Sequence, residues 1–149
     1  ILGKSNIALL FGMDKHAHQL LGESFPHARI FACISPLTEH FTQKSREDNH
    51  RKLYAHFKQN QMDIIAFDKG KLLLINTFHC KHTSDTIYYL LHVWQQLGFN
   101  QENDQLWLAG KIEAKEDLLT ELNKFLRKVT LIPMQEPLPF DIQTLMTCE

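Results

Sequence analysis

The chain has 149 residues, 44% hydrophobic and 22% charged, with a formal net charge of −1. That length suits one domain or two small subdomains with a proper core. The near-neutral charge gives no bulk electrostatic case for a nucleic-acid or membrane surface.

Asn6–Met13 (NIALLFGM) is an apolar run of strand length. Asp14 is placed to N-cap a helix carrying Ala17, Leu20, Leu21 and Ser24 on one uncharged stripe, which Pro26 ends. Arg29–Ile34 (RIFACI) reads as a second buried strand. Ser35-Pro36 reads as the start of a helix bearing Leu37, His40, Phe41 and Lys44. Ser45–Lys52 (SREDNHRK) is charged and aperiodic, a solvated connection. The subdomain boundary is set there, dividing the chain into 1–48 and 49–149.

Lys52–Lys58 (KLYAHFK) alternates, with Leu53, Ala55 and Phe57 on one face and Tyr54 and His56 on the other. Met62–Phe67 (MDIIAF) and Leu72–Phe78 (LLLINTF) are joined through Asp68-Lys69-Gly70, whose glycine supplies the positive φ of a tight turn. Together these predict a three-stranded meander. Its second and third strands are almost continuously apolar, which predicts burial on both faces. Thr83 or Ser84 then caps a helix with Asp85 in its first turn, an inward stripe of Ile87, Leu90, Leu91, Trp94 and Leu97, and a stop at Gly98. Leu106–Ala109 is a short strand ending at Gly110. Lys115–Lys128 reads as a helix with Phe125, Leu126 and Val129 inward and with Arg127 and Lys128 favouring the negative end of its dipole. Thr130–Ile132 is a last strand before a proline-broken tail. From Lys52 onward the order is βββαβαβ, an α/β fold with a mixed sheet and helices on both faces, preceded by βαβα.

That order is that of a ribonuclease-H-like subdomain of the actin-like ATPase superfamily. The stretch KLYAHFKQNQMDIIAFDKGKLLLINTF resembles the hairpin carrying the second phosphate loop in type IV pilus assembly and cell-division actin homologues. NTFHCKHTSDTIYYLLHVWQQLGF and DQLWLAGKIEAKEDLLTELNKFLRKVTLIP resemble a Bacteroidetes-type bacterial family of unknown function with a degenerate actin-like fold. Members of that family are longer at the N-terminus, and this chain resembles their C-terminal part. The resemblance also exposes a departure. The phosphate loop of active members needs consecutive glycines, so that backbone N–H groups approach the phosphates, and a carboxylate to organise Mg²⁺. The matching turn is Lys58-Gln59-Asn60-Gln61, with neither, and the paired glycines of the adenosine-side loop are reduced to Gly110 followed by Lys111. The resemblance therefore implies no ATP hydrolysis and no required cofactor. It leaves residual nucleotide binding open, with Lys58, Asn60, Gly110 and Lys111 as its candidate residues.

Two further features invite a chemical reading. In Phe78-His79-Cys80-Lys81-His82, Cys80 and His82 share a strand face, but two ligands make an incomplete zinc site. A Cys–His nucleophile would also need an oxyanion hole and an orienting group. The simpler reading is a strand end with Cys80 packed inward. The other seven histidines show no metal spacing. Tyr88, Tyr89 and Trp94 would form an aromatic binding face if one flank of their helix were open, but the base rate for a helix on a sheet is that both flanks are covered.

The three cysteines, Cys33, Cys80 and Cys148, are odd in number and widely spaced, unlike a disulfide framework. Cys33 and Cys80 read as buried thiols of a reducing compartment. No apolar run reaches the roughly 18 residues of a membrane span, and no signal-peptide pattern is present. A bacterial, soluble, cytoplasmic protein is expected, acting without catalysis as an interaction or scaffold module for a protein partner, with no nucleic acid and no membrane insertion. The alternative is a nucleotide-binding ATPase or phosphotransferase-like enzyme with an atypical phosphate site.

Overall fold

Lys69 and Gly70 both take positive φ, 50° and 84°. That is the two-residue primed turn whose twist suits a hairpin. It joins β2 (Gln61–Asp68) to β3 (Lys71–His79). The preceding turn, with Asn60 at φ 56°, joins β1 (Arg51–Lys58) to β2. The computed structural model describes residues 13–27 and 34–133. The expected strands at Asn6–Met13 and Arg29–Ile34 fall almost wholly outside those residues. Of their ends, Met13 lies in no strand, and Ile34 opens a helix instead.

The described residues form a five-stranded sheet in the order β3-β2-β1-β4-β5, with β4 at Gln105–Gly110 and β5 at Val129–Leu131. β1–β2 and β2–β3 are antiparallel, while β1–β4 and β4–β5 are parallel. The α/β fold with a mixed sheet and the order βββαβαβ therefore stands.

Alternation along β1 sends its residues to two cores. Leu53, Ala55 and Phe57 join Met62, Ile64, Leu106 and Leu108 beneath Leu90, Val93 and Trp94 of α3 (Thr83–Gln96) and Leu118 and Leu122 of α4 (Lys115–Leu122). On the opposite face Tyr54, Ile65, Phe67 and Ala109 pack against Leu37 and Phe41 of α2 (Ile34–Ser45). The α2 side also buries Thr38, Thr42 and Ser45. Their hydroxyls donate to the carbonyls of Ile34, Thr38 and Thr42 at 2.8, 2.7 and 2.8 Å, which removes the cost of burying them. α1 (Lys15–Ser24) is capped as expected, with Asp14 Oδ1 accepting from the His16 and Ala17 amides at 3.0 Å each.

Several expectations are corrected. The strands buried on both faces are β1 and β2, not β2 and β3. Among the described residues β3 is the sheet's edge and half exposed, because apolar content does not say which strand gets two neighbours. It also carries an irregularity opposite Ala66 and Phe67 that leaves Leu73 unpaired. α4 stops at Leu122, six residues short of Lys128, because the chain must turn to bring Val129 beside Leu106. Leu126 is still buried, but Phe125 is 48% exposed, and Arg127 and Lys128 lie outside the helix whose dipole they were to complement. The N-cap of α3 is His82 rather than Thr83 or Ser84. Asp85 does the capping by reaching back, accepting from the Lys81 and His82 amides at 3.2 and 3.1 Å.

Candidate functional site

The residues singled out in the sequence converge on one end of the sheet, where the β1–β2 turn meets the end of β4. Gly110 pairs with Phe57, and the Lys111 amide donates to the Phe57 carbonyl at 3.1 Å. Gly110 has φ +90°, and a Cβ there would lie 2.3 Å from the Phe57 oxygen. Its freedom from a side chain is therefore used by strand packing. The Asn60 carbonyl accepts from the Cys80 amide at 3.1 Å, tying the turn to the end of β3.

On the α2 face of this end lies a buried polar cluster. Asp63 Oδ1 accepts from the Thr77 hydroxyl at 2.6 Å, and Lys58 Nζ sits 3.0 Å from Oδ2. His56 Nδ1 is 3.6 Å from the same oxygen, too long for a hydrogen bond. Burial pushes the Asp63 carboxyl up, but His56, Thr77 and Lys58 together outweigh it and draw the group down to about 2. Asp63 thus stays a carboxylate surrounded by donors, with the Lys58 ammonium rather than a second carboxylate beside it. That is not the paired-acid arrangement of a two-metal site. Only alternation hinted at this cluster. His56 and Lys58 share a face of β1, and Asp63 comes opposite His56 once the two-residue turn sets the register.

On the α3 and α4 face is a groove of about 220 Å³, bordered by Phe57, Gln61, Cys80, His82, Thr86 and Glu113, with Ala114 at the start of α4. Cys80 and His82 both border it. Among the described residues, no three His, Cys, Asp or Glu side chains come together as a metal cluster. Burial pushes the Cys80 thiol up; a hydrogen bond with Thr86 opposes this and the Asp85 charge adds to it. The group is thus a protonated thiol at neutral pH rather than an activated nucleophile. Tyr88 is 62% exposed and stacks on His92, with ring centres 5.7 Å apart, while Trp94 is buried. The expectation that both flanks of α3 are covered is corrected for the Tyr88 flank among the described residues.

A family described as "Protein of unknown function (DUF3822)" matches residues 1–129. The chain belongs to the DUF3822 family. It is also 46% identical to a Bacteroides thetaiotaomicron protein whose crystal structure is described as having an actin-like ATPase fold and unknown function. That match has a TM-score of 0.82 and covers 93% of this chain and 53% of the other. The DUF3822 chain here therefore has the actin-like fold and spans about half the length of that relative. The Archaeoglobus fulgidus Pelota structure matches at 11% identity with a TM-score of 0.44, covering 73% of this chain and 35% of that one. No curated protein matches. Among the described residues no helix is long and apolar enough to cross a membrane.

Proposed function

We propose that this chain is a non-catalytic actin-like module that acts by holding a protein partner. The observation that carries the reading is the engagement of Lys58. It stands beside the turn where the actin-like resemblance puts a phosphate loop, yet its ammonium is committed to the buried Asp63 at 3.0 Å. Gly110 supports the same reading, since its backbone freedom is taken up by the Phe57 carbonyl. The Tyr88–His92 stack on the open flank of α3 is the candidate contact face.

The rival reading, nucleotide binding with an atypical phosphate site, draws on the groove between α3 and α4. The N-cap of α4, Ala114, makes no side-chain cap bond, which leaves amides of the first turn without that partner. Against it stands Glu113 on the rim of the same groove, whose carboxylate offsets the Lys81 ammonium that also lines it. Isothermal titration with Mg-ATP, together with a phosphate-release assay, decides between the two. The proposal expects no saturable heat up to millimolar nucleotide and no release above background. Micromolar binding would sink it.

A further inference from the structure

Toward the other end of the sheet, on the α2 face, lies a second cavity of about 210 Å³. Tyr54 and Trp107 border it from the sheet, Leu131 and Ile132 from the strand end, and His40 and Glu47 from α2 and the turn after it. Its walls are fixed. The Tyr54 ring stacks on Phe41 at 4.2 Å and faces Trp107 at 6.4 Å, and the Ile132 amide donates to the Leu108 carbonyl at 2.8 Å.

Two features define what such a cavity accepts. The first is charge balance. Lys44 pairs with Glu47 at 3.1 Å. Lys52, 2% exposed, lies 3.3 Å from Asp48 and donates to the Lys44 carbonyl at 2.8 Å. Each cation has its own carboxylate. His40 is held below its ordinary value by burial and then by Lys44, so it adds no charge at neutral pH. Among the described residues nothing at this site is left to neutralise a charged ligand.

The second feature is the Tyr54 hydroxyl. Tyr54 is 1% exposed overall, and its side chain borders the cavity. Burial, then the Glu47 and Asp48 carboxylates, raise the phenol well above its usual range, so it remains an O–H donor. A donor on the wall of a cavity gains from an acceptor brought by a ligand. As to size, an engineered apolar cavity of roughly 150 Å³ takes up benzene.

We propose that this cavity binds a neutral aromatic ring bearing one hydrogen-bond acceptor, with the acceptor meeting the Tyr54 hydroxyl and the ring lying against Trp107. Such a ring arrives either as a free small molecule or as a side chain of a peptide.

The test is titration of the 149-residue chain followed by backbone NMR, with acetophenone (ring and acceptor), toluene (ring alone), benzoate (charged) and a tyrosine-containing tripeptide as probes. Saturable acetophenone shifts centred on Tyr54, Trp107 and Ile132 are expected, with toluene about ten-fold weaker and benzoate absent. In Tyr54→Phe, which keeps the stacked ring, acetophenone falls to the toluene level and toluene is unchanged. Tripeptide binding tighter than acetophenone assigns the site to a peptide side chain, and weaker binding assigns it to a free ligand. Leu131→Phe, which fills the cavity, abolishes binding of every probe. Absent or scattered shifts, benzoate binding as well as acetophenone, or a Tyr54→Phe protein that binds acetophenone undiminished would each overturn the proposal.

Discussion

Lys58 Nζ lies 3.0 Å from Asp63 Oδ2, reaching across the β1–β2 turn to a carboxylate buried in the sheet. Against the upward push of burial, His56, Thr77 and Lys58 together lower Asp63 from an ordinary 3.8 to about 2. A folded-state value below the unfolded one contributes stability that is complete above pH 4 or so and lost as the pH falls toward 2. That contribution amounts to about 2 kcal/mol. Urea denaturation at pH 7 and at pH 3 should therefore give Asp63→Asn a flatter acid dependence than the parent chain. An unchanged acid slope would show that Asp63 is not the titrating group.

Gly110→Ala tests strand packing at the same end. The added Cβ would meet the Phe57 oxygen at 2.3 Å and its nitrogen at 3.0 Å, both backbone atoms in a paired strand, at φ +90°. Neither neighbour can swing aside, so the cost is expected at about 2–4 kcal/mol. Thermal melting reads this directly. A shift of less than about 2 °C would mean that the β1–β4 contact yields more easily than its geometry implies.

Arg51 and Asp104 form the clasp at the opposite end. Asp104 accepts from the Arg51 amide and Nε at 3.1 Å each and from the Asn100 amide at 2.6 Å. Arg51 also donates to the Gly98 carbonyl at 2.8 Å and lies over the Phe99 ring at 4.8 Å. Removing the carboxylate leaves several partly buried donors unmet. Asp104→Ala should cost about 3 kcal/mol by urea denaturation. Asp104→Asn, which keeps one acceptor oxygen, should recover part of the loss, and equal losses for the two variants would count against the hydrogen-bond account.

Much of the fold was legible because local rules decide it. Gly70 supplied the positive φ of a tight turn, Gly98 ended a helix, and the alternation of Leu53, Ala55 and Phe57 named a face. Features set by neighbours were not legible. Leu72–Phe78 is apolar enough for a central strand, yet β3 lies at the edge. The apolar spacing past Leu122 continues to Leu126, but no glycine or proline marks where α4 gives way, and only the need to pair Val129 with Leu106 stops it. At the candidate site Lys58, Asn60, Gly110 and Lys111 were singled out and do gather at one end of the sheet. The pairing of Lys58 with Asp63 was not legible, because it depends on which residue of β2 faces His56.

The parallel pairing of β1 with β4 has a consequence for the folding pathway. Arg51 and Asp104 are 53 positions apart, whereas β1, β2 and β3 are joined by tight turns. Closing a long loop costs chain entropy before any contact repays it. The meander is thus the cheaper nucleus, and β4 docks onto a preformed edge of β1. Energy lost from the Arg51–Asp104 clasp should then appear mainly as faster unfolding, with refolding little changed. A chevron of Asp104→Ala would place the loss on one limb or the other.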